Sequence, residues 1–475
     1  MRVVLASHHF PPERLGGVEL VTLKTAHWLQ QRGHTVEVVA VERATDGAPD
    51  RVAARRDVYQ GVPVVRLTID LFAPGMPWEW RYRHPVIEEW FRRYLEEERP
   101  DLTHIQSCYL LSVGVIHAAR DVGCPTVVSL HDYWFMCPRI TMLRPDDVCC
   151  AGPGDPYACS WCLMTEQRRY RYLDAATRGL GGLSMARALR WDVAARVLAG
   201  PASPAALERR RRVLGEALLR ADALVTPSPY VRYLLHAQGF PPERVRLVPH
   251  GLALTDEALA ARAEAPPAYA RRFAYLGQVI APKGLHVLLR AFDGLRRSHH
   301  DAELHVYGDG LGLPYEQRQR RTAGERDGVY WHGRYAPEEV WRVLREVDVV
   351  VVPSLWREIG PLVMTEALAA GRPVVASDLP NMHYAVRHGE NGLLFRPGNH
   401  GDLQRQLRRL ADEEGLVARL RAGIAPARSR EREMAGLMAV YRMATERAEP
   451  LAKTDAARHA AVGVGRIAAR RNGQV

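Results

Sequence analysis

Two doubly wound α/β domains facing each other across a cleft are the fold this sequence predicts. Three features predict it. Short apolar runs alternate with stretches of helical spacing from residue 2 onward, a second series of the same kind opens near residue 272, and an Ala-, Glu- and Pro-rich stretch at 256–267 separates the two as a linker. Such alternation describes parallel strands covered on both faces by helices. The chain has 475 residues, 47% hydrophobic and 25% charged, long enough to bury two cores without disulfides or metals.

The first series begins with a strand at 2–6, passes a loop at Gly16-Gly17 and enters a helix over 18–31 that stops at Gly33. Strands follow at 36–41, 62–67, 102–106 and 126–130, the last after a helix at 113–120. The second series reads strand 273–276, helix 284–295, strand 303–307 ending at Gly308-Asp309-Gly310, then strands 329–332, 347–352 and 373–376 with helices between. Each half is thus Rossmann-like. Ligands of such sheets bind beyond the carboxyl ends of the strands, so two facing units turn both sets of loops toward one cleft. The expected boundaries are 1–255 for the amino-terminal domain, with a Cys-rich loop at 137–162 and a basic helical segment at 163–220. The carboxyl-terminal domain is expected at 268–430, and 431–475 form a last helix and basic tail that can cross back to the first domain.

The net charge of +11 is concentrated. Residues 163–220 hold twelve Arg against five acids, including Arg168-Arg169-Tyr170-Arg171 and Arg209 to Arg212. This is either a solvated helix face or a surface for anionic lipid or an acidic substrate. No zinc-finger, RNP or helix-turn-helix pattern accompanies the charge, which argues against nucleic acid as a partner. The sequence shows no 18-residue apolar run and no signal-peptide pattern. The expectation is a cytoplasmic protein, with peripheral contact at the anionic inner face of the membrane as a candidate.

The densest chemistry lies at 353–371, Pro-Ser-Leu-Trp-Arg-Glu-Ile-Gly-Pro-Leu-Val-Met-Thr-Glu-Ala-Leu-Ala-Ala-Gly. Glu358 falls in the loop after a strand, Gly360, Pro361 and Leu362 open a helix, and Glu366 lies about two turns beyond Glu358 on that helix. The helix N-terminus offers free N–H groups and a positive dipole to an anion. One carboxylate near a sugar and one accepting ribose hydroxyls suit a nucleotide-sugar. Taken alone, two glutamates at this spacing are as readily surface charges, Lys283 a helix-start residue, Gly16-Gly17 a plain turn and His131 a core histidine.

Together these stretches resemble the retaining glycosyltransferases of family 4, the glycosyl transferases group 1 of GT-B architecture. Glu358 and Glu366 match the family's Glu-x7-Glu motif. Gly277-Gln278-Val279-Ile280-Ala281-Pro282-Lys283-Gly284 is similar to its Gly-Arg-x5-Lys-Gly diphosphate loop, and Gly16-Gly17-Val18-Glu19 to its first Gly-rich loop. His131-Asp132 stands at its active-site histidine, and Pro249-His250-Gly251 at the Pro-Asn-Gly before the interdomain linker. The likeness runs to about residue 441. It implies catalytic roles for His131, Lys283 and Glu358, and donor binding by Gly16, Gly17, Gln278, Lys283, Arg334, Glu358, Gly360, Pro361, Leu362 and Glu366. Lys283 would offset charge on the leaving diphosphate. Glu358 would bind the sugar and not attack it, because in this family the donor phosphate is thought to help deprotonate the acceptor. No catalytic cofactor is implied, in keeping with the lack of an Asp-x-Asp motif. Gln278 replaces the family's Arg and brings no charge, with Arg357 and Arg334 as candidates to compensate.

The implied partners are a nucleotide-diphosphate sugar and a hydroxyl acceptor, a lipid-linked or cell-surface glycan precursor among the candidates, and the implied class is EC 2.4. Alternatives on the same fold are a sugar-nucleotide epimerase, a phosphorylase, or a non-catalytic nucleotide-sugar-binding protein, the last favoured by Gln278. Of seven cysteines, Cys108 and Cys124 read as small core residues. Cys137, Cys149, Cys150, Cys159 and Cys162 share one loop, and four of them could hold a structural zinc, with Cys159-Ser160-Trp161-Cys162 as the tight half. An iron–sulfur cluster, or a loop merely rich in cysteine, are the other readings.

Overall fold

The computed structural model describes residues 1–447 apart from 46, 153, 178–187, 189, 191–199, 311 and 324–326. The tail at 448–475 and much of the basic segment lie outside the described residues.

The amino-terminal sheet is built from β1 (Arg2–Ser7), β2 (Thr35–Arg43), β3 (Ala53–Tyr59), β4 (Val62–Thr68), β5 (Leu102–Ile105), β6 (Thr126–Ser129), β7 (Ala223–Thr226) and β8 (Val245–Leu247). Their order is β3-β4-β2-β1-β5-β6-β7-β8, and β3 is antiparallel to β4 while the other pairs are parallel. The second sheet holds β9 (Arg272–Leu276), β10 (Glu303–Tyr307), β11 (Val329–Gly333), β12 (Val349–Val352), β13 (Val374–Ser377) and β14 (Gly392–Phe395) in the order β11-β10-β9-β12-β13-β14, all parallel. Central strands are apolar on both faces because both faces are covered. All four valines of β12 and Val3 to Ala6 of β1 are buried. The strand order reverses between β1 and β5 and between β9 and β12. Ligands bind at such switch points.

The stretch 256–267 is not a bare linker. It forms the helix Asp256–Ala263, capped by Thr255, whose Oγ1 accepts the Ala258 N–H at 3.2 Å. Ala258 and Ala261 pack on the second sheet. The Ala- and Glu-rich composition read as a spacer is equally a helix composition. The chain crosses between lobes at Leu252, which pairs with the returning segment through Leu252 N–H to Arg428 O and Arg430 N–H to Leu252 O, both 2.9 Å. A β-carbon on Gly251 would lie 2.2 Å from Ser429 O, so these two crossings sit closer than a side chain permits. The final helix, Arg430–Arg447, lies on the first sheet, where Met434, Leu437, Val440, Tyr441 and Ala444 share a core with Val3, Leu5 and Val38. Among the described residues no helix is long and apolar enough to cross a membrane.

Candidate active site

The loops leaving β9 and β12 are brought together by a glycine. Gly284 has φ +73°, and a β-carbon there would lie 1.9 Å from Pro353 O. Leu355 N–H also donates to Pro282 O at 2.8 Å. This contact sets Lys283 against Glu358. The Lys283 ammonium donates to both Glu358 oxygens, at 2.8 and 2.6 Å, and Ser354 Oγ donates to Glu358 Oε1. Glu358 is 4% exposed.

Glu366 sits on the helix Leu362–Ala369, with Pro361 at its N-cap. Burial pushes its carboxyl pKa up, and the charges of Lys24 and then Arg430 oppose that shift. The Lys24 ammonium approaches from the other lobe at 4.0 Å. Among the described residues no hydrogen bond reaches the Glu366 carboxylate, whose ion-pair partner is Lys24. Gly360 lies against His250, whose ring would stand 3.3 Å from a β-carbon placed there.

The first lobe supplies the opposite wall. Gly16 N–H donates to Glu19 Oε2 at 2.9 Å, and His8 Nε2 lies 3.2 Å from Glu19 Oε1. A β-carbon on Gly16 would lie 3.8 Å from Gln278 Nε2, so the first Gly-rich loop meets Gln278 across the cleft. Gly17 opens the helix Gly17–Gln30 into free space. His131 Nε2 lies 2.9 Å from Gln106 Oε1, while Gln106 Nε2 lies 3.2 Å from His104 Nδ1. The amide therefore accepts from His131, which carries its proton on Nε2 and keeps Nδ1 as an acceptor. Burial first, then His250, holds its pKa well below the ordinary value, so the ring is neutral. His131 stacks on His250 at 5.7 Å, and His250 Nδ1 donates to Glu433 at 3.0 Å.

Asp132 accepts the Trp134 N–H at 2.8 Å, and burial pushes its carboxyl pKa up to about 6 from 3.8. A carboxyl raised on folding weakens the fold fully above pH 6, and the penalty fades as pH falls toward 4. Asp132→Asn is expected to stabilise the fold at pH 8, by up to about 3 kcal/mol, and so to raise the thermal midpoint there, with the gain vanishing near pH 4. Melting curves across that range test it, and a pH-independent difference would refute the assignment.

Two expected cations lie elsewhere. Arg334 is half-exposed and stands 3.5 Å from Asp309. Arg357 turns its guanidinium to Cys150 O and over the Tyr230 ring at 5.2 Å, so it does not replace the charge missing at Gln278. Cys108 and Cys124 are buried as expected of core residues. Of the loop cysteines, Cys149 Sγ donates to Leu355 O at 2.9 Å and Cys150 Sγ to Gly152 O at 3.0 Å, while Cys159 and Cys162 lie on the helix Pro156–Met164. With Cys137 and these thiols included, no group of three or more His, Cys, Asp or Glu among the described residues is gathered to hold a metal ion. Spacing alone did not single out Tyr133, Asn381, Ser354 and Lys24, although Ser354 lies within the 353–371 stretch and Tyr133 directly follows His131-Asp132.

Solved structures share this architecture. That of Anabaena Alr3699/HepE in complex with UDP and glucose superposes with a TM-score of 0.57 at 16% identity, covering 94% of this chain and 99% of that one. Among curated proteins, alpha-D-kanosaminyltransferase of Streptomyces kanamyceticus is 28% identical over 152 residues, 32% of this chain and 39% of that enzyme. Glycogen synthase of Mycobacterium tuberculosis (strain ATCC 25618 / H37Rv) is 24% identical over 428 residues, 88% of each. The fold and the matches define a glycosyltransferase of GT-B type. The model for Glycosyltransferase Family 4 matches residues 15–256 and that for Glycosyl transferases group 1 matches 260–425. The chain belongs to glycosyltransferase family 4, with its second lobe a group 1 module.

Proposed function

We propose that the protein moves a sugar, with retained anomeric configuration, from a nucleotide-diphosphate sugar to a hydroxyl acceptor in the cleft. The observation that carries this reading is the Lys283–Glu358 pair on the loops after β9 and β12, with Glu366 buried on the helix that follows and the Gly16 loop meeting Gln278 across the cleft. Lys283 suits the leaving diphosphate and Glu366 the ribose hydroxyls. Glu358, engaged by Lys283 and Ser354, suits a sugar-binding acceptor better than a nucleophile. His131 presents an unprotonated Nδ1 that can accept from a sugar or acceptor hydroxyl.

Titration with UDP, GDP, ADP and TDP tests the donor site. One of them is expected to bind selectively, and Glu366→Ala to weaken it by about tenfold, the worth of charge-assisted hydrogen bonds to ribose. A folded protein that binds none of the four would remove the reading.

A lipid-linked acceptor is favoured by the helix Arg168–Ala176, which exposes Tyr172 at 60% and Leu173 at 41% beside Arg168 and Arg169. Salt-reversible sedimentation with anionic vesicles tests that contact. A structural zinc on four of the five loop cysteines remains a proposal from their spacing. It requires the cysteine side chains to draw together, and elemental analysis of wild type and Cys159→Ser tests it.

A further inference from the structure

The backbone that carries Glu358 is held from the other lobe. Tyr133, fully buried at the start of the Cys-rich loop, donates its hydroxyl hydrogen to Arg357 O at 2.9 Å. The Tyr133 hydroxyl oxygen accepts from Asn381 Nδ2 at 3.2 Å, and Asn381 Nδ2 also donates to Glu358 O. One hydroxyl and one amide therefore grip two successive carbonyls, 357 and 358. Tyr133 is itself fixed: its N–H donates to Ile140 O at 3.1 Å, and its carbonyl accepts from Met136 at 2.9 Å and Cys137 at 2.7 Å. The Cys-rich loop adds Cys149 Sγ on Leu355 O and Cys150 O under the Arg357 guanidinium. Three contacts from the amino-terminal lobe, with Asn381 from the second lobe, thus converge on residues 355–358, the segment that ends in the sugar-facing carboxylate.

We propose that Tyr133 is a positioning residue whose hydroxyl, with Asn381, sets the Arg357–Glu358 backbone so that Glu358 is placed for the donor sugar when the lobes are together. The aromatic ring fills core space whatever its substituent, so the positioning role belongs to the hydroxyl. This inference rests on the reading of Glu358 as a sugar-binding group.

Tyr133→Phe keeps the ring and removes the hydroxyl. Amide hydrogen exchange in 354–360 is expected to rise by about tenfold, the loss of one buried hydrogen bond, with the rest of the second lobe unchanged. Affinity for whichever of UDP, GDP, ADP and TDP the wild type binds should stay within about twofold, because Lys283 and Glu366 are untouched. Affinity for a sugar ester of that nucleotide should fall by about fivefold or more, because Glu358 is displaced. Asn381→Ala should reproduce both effects, and the double variant should be no worse than either alone, as for two parts of one contact. Unchanged exchange at 354–360 in both single variants would overturn the proposal, and so would loss of protection spread over both lobes. If the wild type binds no nucleotide while the local exchange increase stands, the latch holds and the donor reading fails.

Discussion

Lys283→Ala is expected to lower sugar transfer by about 10²–10³-fold, the scale on which a single preorganised group acts on developing charge. The chain has Gln278 where its family usually carries Arg, Arg357 is committed to the Cys-rich loop, and Arg334 is held near Asp309. On the proposed donor reading, the diphosphate would rely on Lys283 more heavily than in an Arg-bearing relative. The same substitution removes the partner of a carboxylate that is 4% exposed. Ser354 still donates to Glu358, and Lys283 is partly open to water. The stability cost is therefore placed at about 1–3 kcal/mol, below that of breaking a fully buried pair. Steady-state kinetics and a urea melt separate the two effects. Turnover within tenfold of wild type would show that another cation serves the leaving group.

Gly284→Ala is the largest expected loss of stability. The residue combines φ +73° with a β-carbon position 1.9 Å from Pro353 O. Neither can be relieved by a rotamer change, because the obstacle is backbone. The loops after β9 and β12 must part, at a cost of about 3 kcal/mol or more, and the Lys283–Glu358 pair separates with them. Nucleotide affinity and thermal midpoint should fall together. Gly215→Ala is the control, since a β-carbon there meets nothing within 4 Å and the glycine lies within the helix Pro204–Arg220, outside the donor site. A mild effect at Gly284 would mean that the two loops are not locked.

The parts legible in the sequence were those governed by local rules. β12 is four valines because both of its faces are covered, and a run of that kind reads as a buried strand. β3 was not legible. It is an exposed edge carrying Arg55, Arg56 and Asp57, whose ion pairs with Glu42, Glu98 and Arg66 lie on other elements. β7, β8 and β14 are three or four residues long and leave too little periodicity to read. Lys283, Glu358 and Glu366 were legible through the spacing of loop and helix around them. Tyr133 and Asn381 were not, because they matter only as a pair 248 residues apart in sequence.

The helix Arg430–Arg447 has a consequence for how the protein is made. Val3 and Leu5 share a core with Met434, Leu437 and Tyr441, which lie over 400 residues further along the chain. His104, buried on β5 beside β1, meets the Tyr441 hydroxyl at 2.7 Å. The first lobe therefore cannot complete its interior during synthesis, however early its strands pair. At translation speeds of about 5–20 residues per second, the strands wait roughly 20–90 seconds with an apolar face uncovered. A nascent chain arrested between the lobes should be a substrate for chaperones, and emergence of the helix Arg430–Arg447 the event that closes the first lobe.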